Sequence, residues 1–570
     1  MYSKILLDNP SAHPGLKFEE YASALKNVIE LSDPQFSVGI FGGWGSGKTT
    51  LMHAIERQLN DKIVSVWFNA WRYEKEEHLI IPLLDTLRDA LFAWATPENG
   101  RPIDPLLRDR AIKAASTITK AAKAIFAGLA ITAKFPLIEV SLDANKTVAE
   151  WRQGDAEADR KDAESPQSAY HASFKALQES LTEFTEHGKQ RIVVFIDDLD
   201  RCLPANALQV LESMKLFFDL EGFVFVVGLD QRVIEASINW NYRSSESPGT
   251  SSAGPPINGA SYIKKLFQVP FNLPSVSSGQ LDDYLDAILS NSGERDSEQV
   301  ELLRRVRPHL DNFIDGSEVN PREVKRFINS YILQKLIQPD LDDDVTLLLQ
   351  TIAFRLDWSA AYEVFRSRPE AFIDAAKRQL GGESDALRDL DPRLAQLPES
   401  FFQYISSKGG QKLLTLDSPQ LAEQVSTFEV TRDPEEPLAR IQEHLAALAR
   451  EIDRFDPIDI SSSVKASDFF RSKIREIDEN LNQVFLELRQ GGGGSSRYKQ
   501  MVDSLMEAMK QLKDESDRLA FALRRGDSIG PEEFDDVLKR RSSLVELLRE
   551  TMTILEVLAI ERLSVDPRSR

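Results

Sequence analysis

Phe41-Gly42-Gly43-Trp44-Gly45-Ser46-Gly47-Lys48-Thr49-Thr50 satisfies the pattern G-x-x-x-x-G-K-[ST] from Gly42 to Thr49. Ser37-Val38-Gly39-Ile40-Phe41 reads as a short buried strand, and Thr49 to Leu59 reads as a helix. A phosphate-binding loop needs that strand–loop–helix setting. Glycines let backbone N–H groups turn inward around phosphate without Cβ clashes, and the helix N-terminus favours anionic oxygens. In this reading Gly42, Gly43, Trp44, Gly45, Ser46, Gly47 and Thr50 surround the phosphates. Lys48 neutralises β/γ-phosphate charge, and the Thr49 hydroxyl ligates Mg²⁺. The plainer alternative is a Gly-rich turn.

Outward from the loop, strands and helices alternate. Residues 16–31 place Phe18, Tyr21, Leu25, Val28 and Ile29 at helical spacing. Lys62 to Phe68 reads as a second strand, followed by a helix from about Glu76 to Ala95. A helix near Ala169–His187 precedes Ile192-Val193-Val194-Phe195-Ile196-Asp197, and a helix near Ala205–Phe218 precedes Phe223 to Asp230. Apolar runs flanked by charge, alternating with helices, predict a parallel α/β sheet. The site then lies at the carboxyl ends of the strands.

The candidate chemistry follows from those strand ends. Asp197 ends the strand expected beside the phosphate loop, where a carboxylate holds Mg²⁺ directly or through water. Asp198 is placed to orient the attacking water, with Asp200 as a second candidate; a turn or cap is the alternative for either. Asp230 ends the next strand, either to sense the γ-phosphate or to cap the helix that starts near Gln231. Arg201, Arg322 and Arg326 are candidates to stabilise charge on the γ-phosphate, Arg201 in its own or a neighbouring subunit's site. Surface salt bridges are the alternative for these arginines. Pro321 at the first helical position places Arg322 in the first turn of a lid helix.

At 570 residues the chain is expected to hold about two to four domains. The division read here is a core over 1–275 with a helical insertion at 100–168, a helical lid over 276–370, a mostly helical region over 371–464, and a helical bundle or hairpin over 465–570. Lid helices are expected at Gly279–Leu289, Ser297–Phe313, Arg322–Ile337 and Asp343–Ser367. Residues 243–259 read as a low-complexity loop, and Gly491 to Ser496 as a flexible joint resembling an engineered linker. A net charge of −21 argues against coating nucleic acid by charge alone. The single cysteine, Cys202, fits a reducing cytosol, and seven dispersed histidines offer no zinc spacing. Ala121 to Leu142 is apolar but carries Lys123, Lys134, Glu139 and Pro136, and its uninterrupted run falls far short of the roughly 20 residues a span needs. A membrane location is therefore not expected, and a cytoplasmic one is.

GGWGSGKTT at 42–50, VWFNAWRYEKEE at 66–77, VVFIDDLDRC at 193–202, FVFVVGLD at 223–230, YIKKLFQVPFNLP at 262–274 and NPREVKRFIN at 320–329 together resemble the KAP family of P-loop NTPases, over roughly 10–340. The resemblance implies an AAA-like fold, ATP as the nucleotide, and Mg²⁺-dependent hydrolysis. It implies phosphate and magnesium roles for Lys48 and Thr49, and metal-binding and hydrolytic roles for Asp197 and Asp198. It also implies a place in anti-phage defence, with protein partners encoded in the same operon. Size and the helical C-terminal half resemble the ATPase component of the Qat-type system. The leading expectation is an ATP-hydrolysing switch or motor subunit, with homo-oligomers as one mode of action. The alternatives are a nucleotide-gated scaffold with little turnover, and a nucleic-acid-stimulated ATPase motivated by Arg304-Arg305-Val306-Arg307 and Lys539-Arg540-Arg541.

Overall fold

The computed structural model describes residues 5–431 apart from 12–13, 77, 98–100, 133–165, 187–188, 216, 218–219, 245–258, 291–296, 315–318 and 384. Beyond 431 it describes 507, 510, 511 and 514. The helices expected over 465–490, 497–524 and 531–563, the 491–496 joint and most of the 243–259 loop therefore lie outside the described residues.

Five parallel strands form one sheet in the order β2-β3-β4-β1-β5: β1 (Phe36–Phe41), β2 (Val64–Asn69), β3 (Ile192–Asp197), β4 (Phe223–Leu229) and β5 (Val269–Asn272). Helices α1 (Phe18–Leu31), α2 (Lys48–Gln58), α3 (Ile80–Ala95), α4 (Pro105–Thr132), α5 (Pro166–Thr185), α6 (Pro204–Lys215), α7 (Gln231–Ser244) and α8 (Gly259–Leu266) accompany them. β3 and β4 are buried at every position, so side chains on both faces are apolar and alternation is lost. Two cores result. One packs Val64, Ile196, Phe225 and Val227 against α3, α4 and α5; the other packs Val38, Ile40, Val193 and Val226 against α1, α2 and the helices after β5.

The strand order shows how the Asp197 strand reaches the phosphate loop. β3 does not lie beside β1, because β4 stands between them and pairs with both. β1 takes β5 as its other neighbour, with Phe41 opposite Asn272.

The beginning of the expected insertion belongs to the core. Ala111, Ala114, Ala115, Ile118, Ala121 and Ala122 on α4 are buried at helical spacing. Their small side chains let α4 sit closely against α3 and α5. The apolar stretch from Ala124 onward lies outside what can be described at the side-chain level. No helix among the described residues is long and apolar enough to cross a membrane.

After β5 come α9 (Ser278–Ser290), α10 (Ser297–Ile314) and α11 (Pro321–Ile337), whose apolar faces join the second core. Asn320 caps α11, its side chain accepting from the backbone N–H groups of Arg322 and Glu323 while Glu323 reaches back to Asn320 N. The single helix expected over 343–367 is two: α12 (Asp343–Phe354) and α13 (Ser359–Ser367), separated by a turn over Leu356–Trp358. Arg355 turns extended there, stacks 3.8 Å over the buried Trp358 ring, and pairs with Asp357 at 2.6 Å. Helices continue to 431 around a core that includes Trp358, Phe365, Phe372 and Phe401.

Candidate nucleotide-binding site

The loop between β1 and α2 turns through two glycines in the left-handed region, Gly45 at φ 85° and Gly47 at φ 99°. Each is also crowded. A Cβ on Gly45 would stand 2.7 Å from Arg322 Cβ, and one on Gly47 would stand 2.7 Å from the Phe18 ring. The lid helix and α1 therefore approach the loop as closely as glycine permits.

Lys48, the first residue of α2, sends Nζ back into the loop, where it donates to Gly42 O at 2.9 Å and Gly43 O at 3.3 Å. It also pairs with Asp200 at 3.1 Å, both side chains being buried. The Thr49 hydroxyl donates to Asp197 Oδ2 at 2.7 Å. That contact crosses β4, and Gly228 on β4 makes room for it: a Cβ there would meet Met52 Sδ at 2.9 Å and Asp197 Oδ1 at 3.3 Å. Burial, and the neighbouring Asp198 charge, hold the Asp197 carboxyl above its usual range, against the lowering effect of the Thr49 hydrogen bond.

Asp198 has a positive φ of 56°, uncommon for a residue with a side chain, which turns its carboxylate away from the strand line. Both its oxygens are held: Asn69 Nδ2 donates to Oδ2 at 2.7 Å, and Arg201 Nε lies 2.9 Å from Oδ1. Asn69 ends β2 and also accepts from Arg72 N at 3.0 Å, so one side chain joins the β2 end to the β3 end. Asp200 Oδ2 accepts from Asp230 N at 3.2 Å as well as from Lys48. Asp230 Oδ1 accepts from Arg232 N at 3.0 Å, the geometry of a cap on α7. Cys202 is buried beside these acids, and burial raises its thiol far above the usual range.

Trp44 stands largely exposed at the loop tip and gathers three arginines. Arg322 lies 4.6 Å from its ring centroid, Arg201 5.9 Å and Arg326 6.0 Å, and Arg201 also lies 5.3 Å from Trp71. Arg322 Nε pairs with Asp8 Oδ2 at 2.9 Å, and Asn320 Nδ2 donates to Trp44 O at 3.2 Å. The lid helix thus holds the loop at its backbone and at its aromatic tip. By contrast, Arg304 and Arg305 pair with Glu301 at 2.9 and 3.1 Å, and Arg307 pairs with Asp282 and Asp311. That basic run is neutralised in place.

A cavity of about 1230 Å³ lies over these groups. Its lining includes Lys48, Thr49, Asp197, Asp198, Trp44 and Arg322, the apolar or aromatic Leu16, Tyr284 and Ile288, and residues 5–11. The residues suit a nucleotide and a divalent cation. Ser46 Oγ is buried in the loop without a hydrogen-bond partner, a Cβ on Gly42 would strike it at 2.5 Å, and the Thr49–Asp197 pair offers two oxygens of a hard-cation donor set. Asp8, Tyr284 and Gln299 were not singled out by sequence.

A parallel sheet with a glycine-rich loop leading into a helix, and acids at the neighbouring strand ends, defines a P-loop NTPase domain. Residues 18–335 match the KAP family P-loop domain, more than half of the chain, and the chain belongs to that family. It is 30% identical over 179 residues to an uncharacterized protein of Methanocaldococcus jannaschii, a match spanning 28% of this chain and 88% of that one. It is 22% identical over 355 residues to the phage T7 exclusion protein of Escherichia coli, covering 58% of this chain and 43% of the relative. It is 24% identical over 183 residues to the kinase D-interacting substrate of 220 kDa of Rattus norvegicus, covering 31% of this chain and 10% of the relative. The chain thus spans less than half the length of the last two. As a member of this family it carries a domain of the kind that binds nucleotide, generally with Mg²⁺.

Proposed function

We propose that the chain binds and hydrolyses ATP with Mg²⁺ and acts as a nucleotide-driven switch in bacterial defence against phage. The observation that carries the reading is the convergence of Lys48, Thr49, Asp197 and Asp198 at one end of the sheet, under a lid helix whose Arg322 and Asn320 touch Trp44. Lys48 leaves the Gly42 and Gly43 carbonyls for the β- and γ-phosphate oxygens, and the loop N–H groups hold the same oxygens. Thr49 and Asp197 would hold the cation, which would supply positive charge to the phosphoryl group. Asp198, oriented by Asn69, accepts a proton from the attacking water. Arg322 and Arg201 supply positive charge from the loop tip, and the lid registers whether the γ-phosphate is present.

The phage T7 exclusion relative supports the defence setting. The helices after β5 pass the lid's position to protein partners of the same multi-component system, or to further copies of this chain, in the cytoplasm. The test is ATP turnover by the purified chain, with its mass distribution recorded with and without ATP and Mg²⁺. Lys48→Ala lowers turnover by about 100-fold or more, the scale of losing a preorganised charge stabiliser. Native turnover in that variant would overturn the reading.

One observation favours a second reading. Both Asp198 oxygens are already held by Asn69 and Arg201, which suits a site that binds nucleotide and turns it over little. In that case ATP binding alone stabilises an assembly. Asp198→Asn then keeps function while Lys48→Ala loses it; loss in both supports hydrolysis.

A further inference from the structure

Gln299 is the third residue of α10 and is fully buried, yet neither its amide nitrogen nor its amide oxygen has a hydrogen-bond partner. An amide left doubly unpaired inside a protein is rare and unfavourable, because both groups have lost water and gained nothing. Gln299 nonetheless belongs to the wall of the cavity over the phosphate loop. Leu16, Phe18, Tyr284 and Ile288 line the same cavity, and the Tyr284 hydroxyl is already spent on Pro321 O at 2.9 Å. An apolar slot with one paired donor and acceptor is the recognition chemistry of a planar heterocycle. The same cavity is lined by Lys48 and Thr49.

We propose that Gln299 reads the base of the bound purine nucleotide, its amide N–H donating to N1 of adenine and its amide oxygen accepting from the 6-amino group. This rests on the nucleotide-binding reading of the loop and adds the residue that selects the base. Turned over, the same amide meets O6 and N1–H of guanine, so what it requires is a hydrogen-bonding substituent at the 6-position. A purine without that substituent leaves the amide oxygen unpaired, and sites of this kind reject such analogues strongly.

The experiment is calorimetric titration of the full chain with three ligands: ATP, purine riboside 5′-triphosphate, which lacks the 6-amino group, and inorganic tripolyphosphate, which has no base. The native protein prefers ATP over the purine riboside nucleotide by about tenfold, the scale of one or two hydrogen bonds in a desolvated site. In Gln299→Leu that preference falls to about twofold or less, while tripolyphosphate affinity stays native. Ligand-free Gln299→Leu melts at the native temperature or above it, since an unpaired amide has been replaced by an apolar group of similar size. Gln299→Met serves in its place if the leucine variant does not fold. A native protein without the base preference, or a variant that keeps it, overturns the assignment while leaving the loop reading intact. If neither ATP nor tripolyphosphate binds the native protein, the loop reading fails and this assignment falls with it.

Discussion

Gly228→Ala tests how the two halves of the site meet across the sheet. Gly228 lies on β4, opposite Ile40 on β1, and its φ is not in the left-handed region, so alanine introduces no backbone strain. The added methyl would stand 2.9 Å from Met52 Sδ, 3.3 Å from Asp197 Oδ1 and 3.5 Å from Lys48 Cβ. Met52 is fully buried, so its sulfur has little space to retreat into, and Asp197 must yield by a few tenths of an ångström. Overpacking of this kind costs about 1–3 kcal/mol, offset by about 0.4–1 kcal/mol from reduced freedom of the unfolded chain. A net loss near 1 kcal/mol leaves the protein folded. The Thr49–Asp197 contact is what suffers. Misplacement by about 1 Å costs about 100-fold in rate, so a shift of a few tenths costs about fivefold. The assay is ATP turnover across a Mg²⁺ titration, paired with urea denaturation. A folded Gly228→Ala protein with native turnover and native Mg²⁺ dependence would refute the idea that Gly228 exists to let Thr49 reach Asp197.

Three further outcomes are expected. Asp197→Asn raises the thermal stability of the ligand-free protein at neutral pH while abolishing Mg²⁺-dependent turnover: burial holds the carboxyl above its unfolded value, so the ionised form is penalised in the fold once pH exceeds that raised value. A lower melting temperature would contradict this. Gly45→Ala forces an L-residue to φ 85° and places Cβ 2.9 Å from Asn320 Oδ1, so hydrogen-exchange protection at the start of α11 drops and stability falls by about 1–3 kcal/mol; native protection there would count against the loop–lid contact. His309, bonded to Tyr404 Oη at 2.6 Å, has its pKa lowered to about 4 by burial. Its folded value lies below the unfolded 6.5, so its contribution is complete above pH 6.5 and is lost as pH falls toward 4, by up to about 3 kcal/mol, and His309→Gln removes that share of the acid sensitivity seen in urea titrations at pH 7 and 4.5.

Most of the sheet was legible because its strands are short apolar runs between charges, and the loop because its glycines, lysine and threonine have fixed spacing. Strand order was not, since nothing local in Phe223 to Leu229 says that it enters between β1 and β3. A signal was present in Gly228, a glycine in an otherwise bulky central strand, which marks a close approach by another element. The break at 355–358 was hidden because Leu356 and Trp358 carry apolar character across it. Gln299 carried a signal too: it precedes Leu302, Leu303 and Val306 at helical spacing, a polar residue on an apolar face. Asp8 and Tyr284 could not be found that way. They reach the site only through the tertiary fold, Asp8 against Arg322 and the Tyr284 hydroxyl against Pro321 O.

The charged groups beneath the cavity are arranged in pairs. Lys48 has Asp200, Asp198 has Asn69 and Arg201, and Arg322 has Asp8. Under the proposed function a triphosphate therefore exchanges partners instead of meeting bare charges, and its affinity is the difference between new and displaced contacts. Two consequences follow from where the displaced partners sit. Asp200 is tied to Asp230 N, so withdrawing Lys48 loosens the junction between the β3 end and α7. Asp8 belongs to the segment along the cavity wall, whose Leu6 and Leu7 carbonyls accept from Asn329 and Lys325 on the lid helix. Withdrawing Arg322 toward phosphate removes one tie between that segment and α11 and leaves those made by Lys325 and Asn329. Under that proposal the arginine that would answer the γ-phosphate is the one that holds the N-terminal segment in its absence, which would give hydrolysis a structural consequence without any large motion of the sheet.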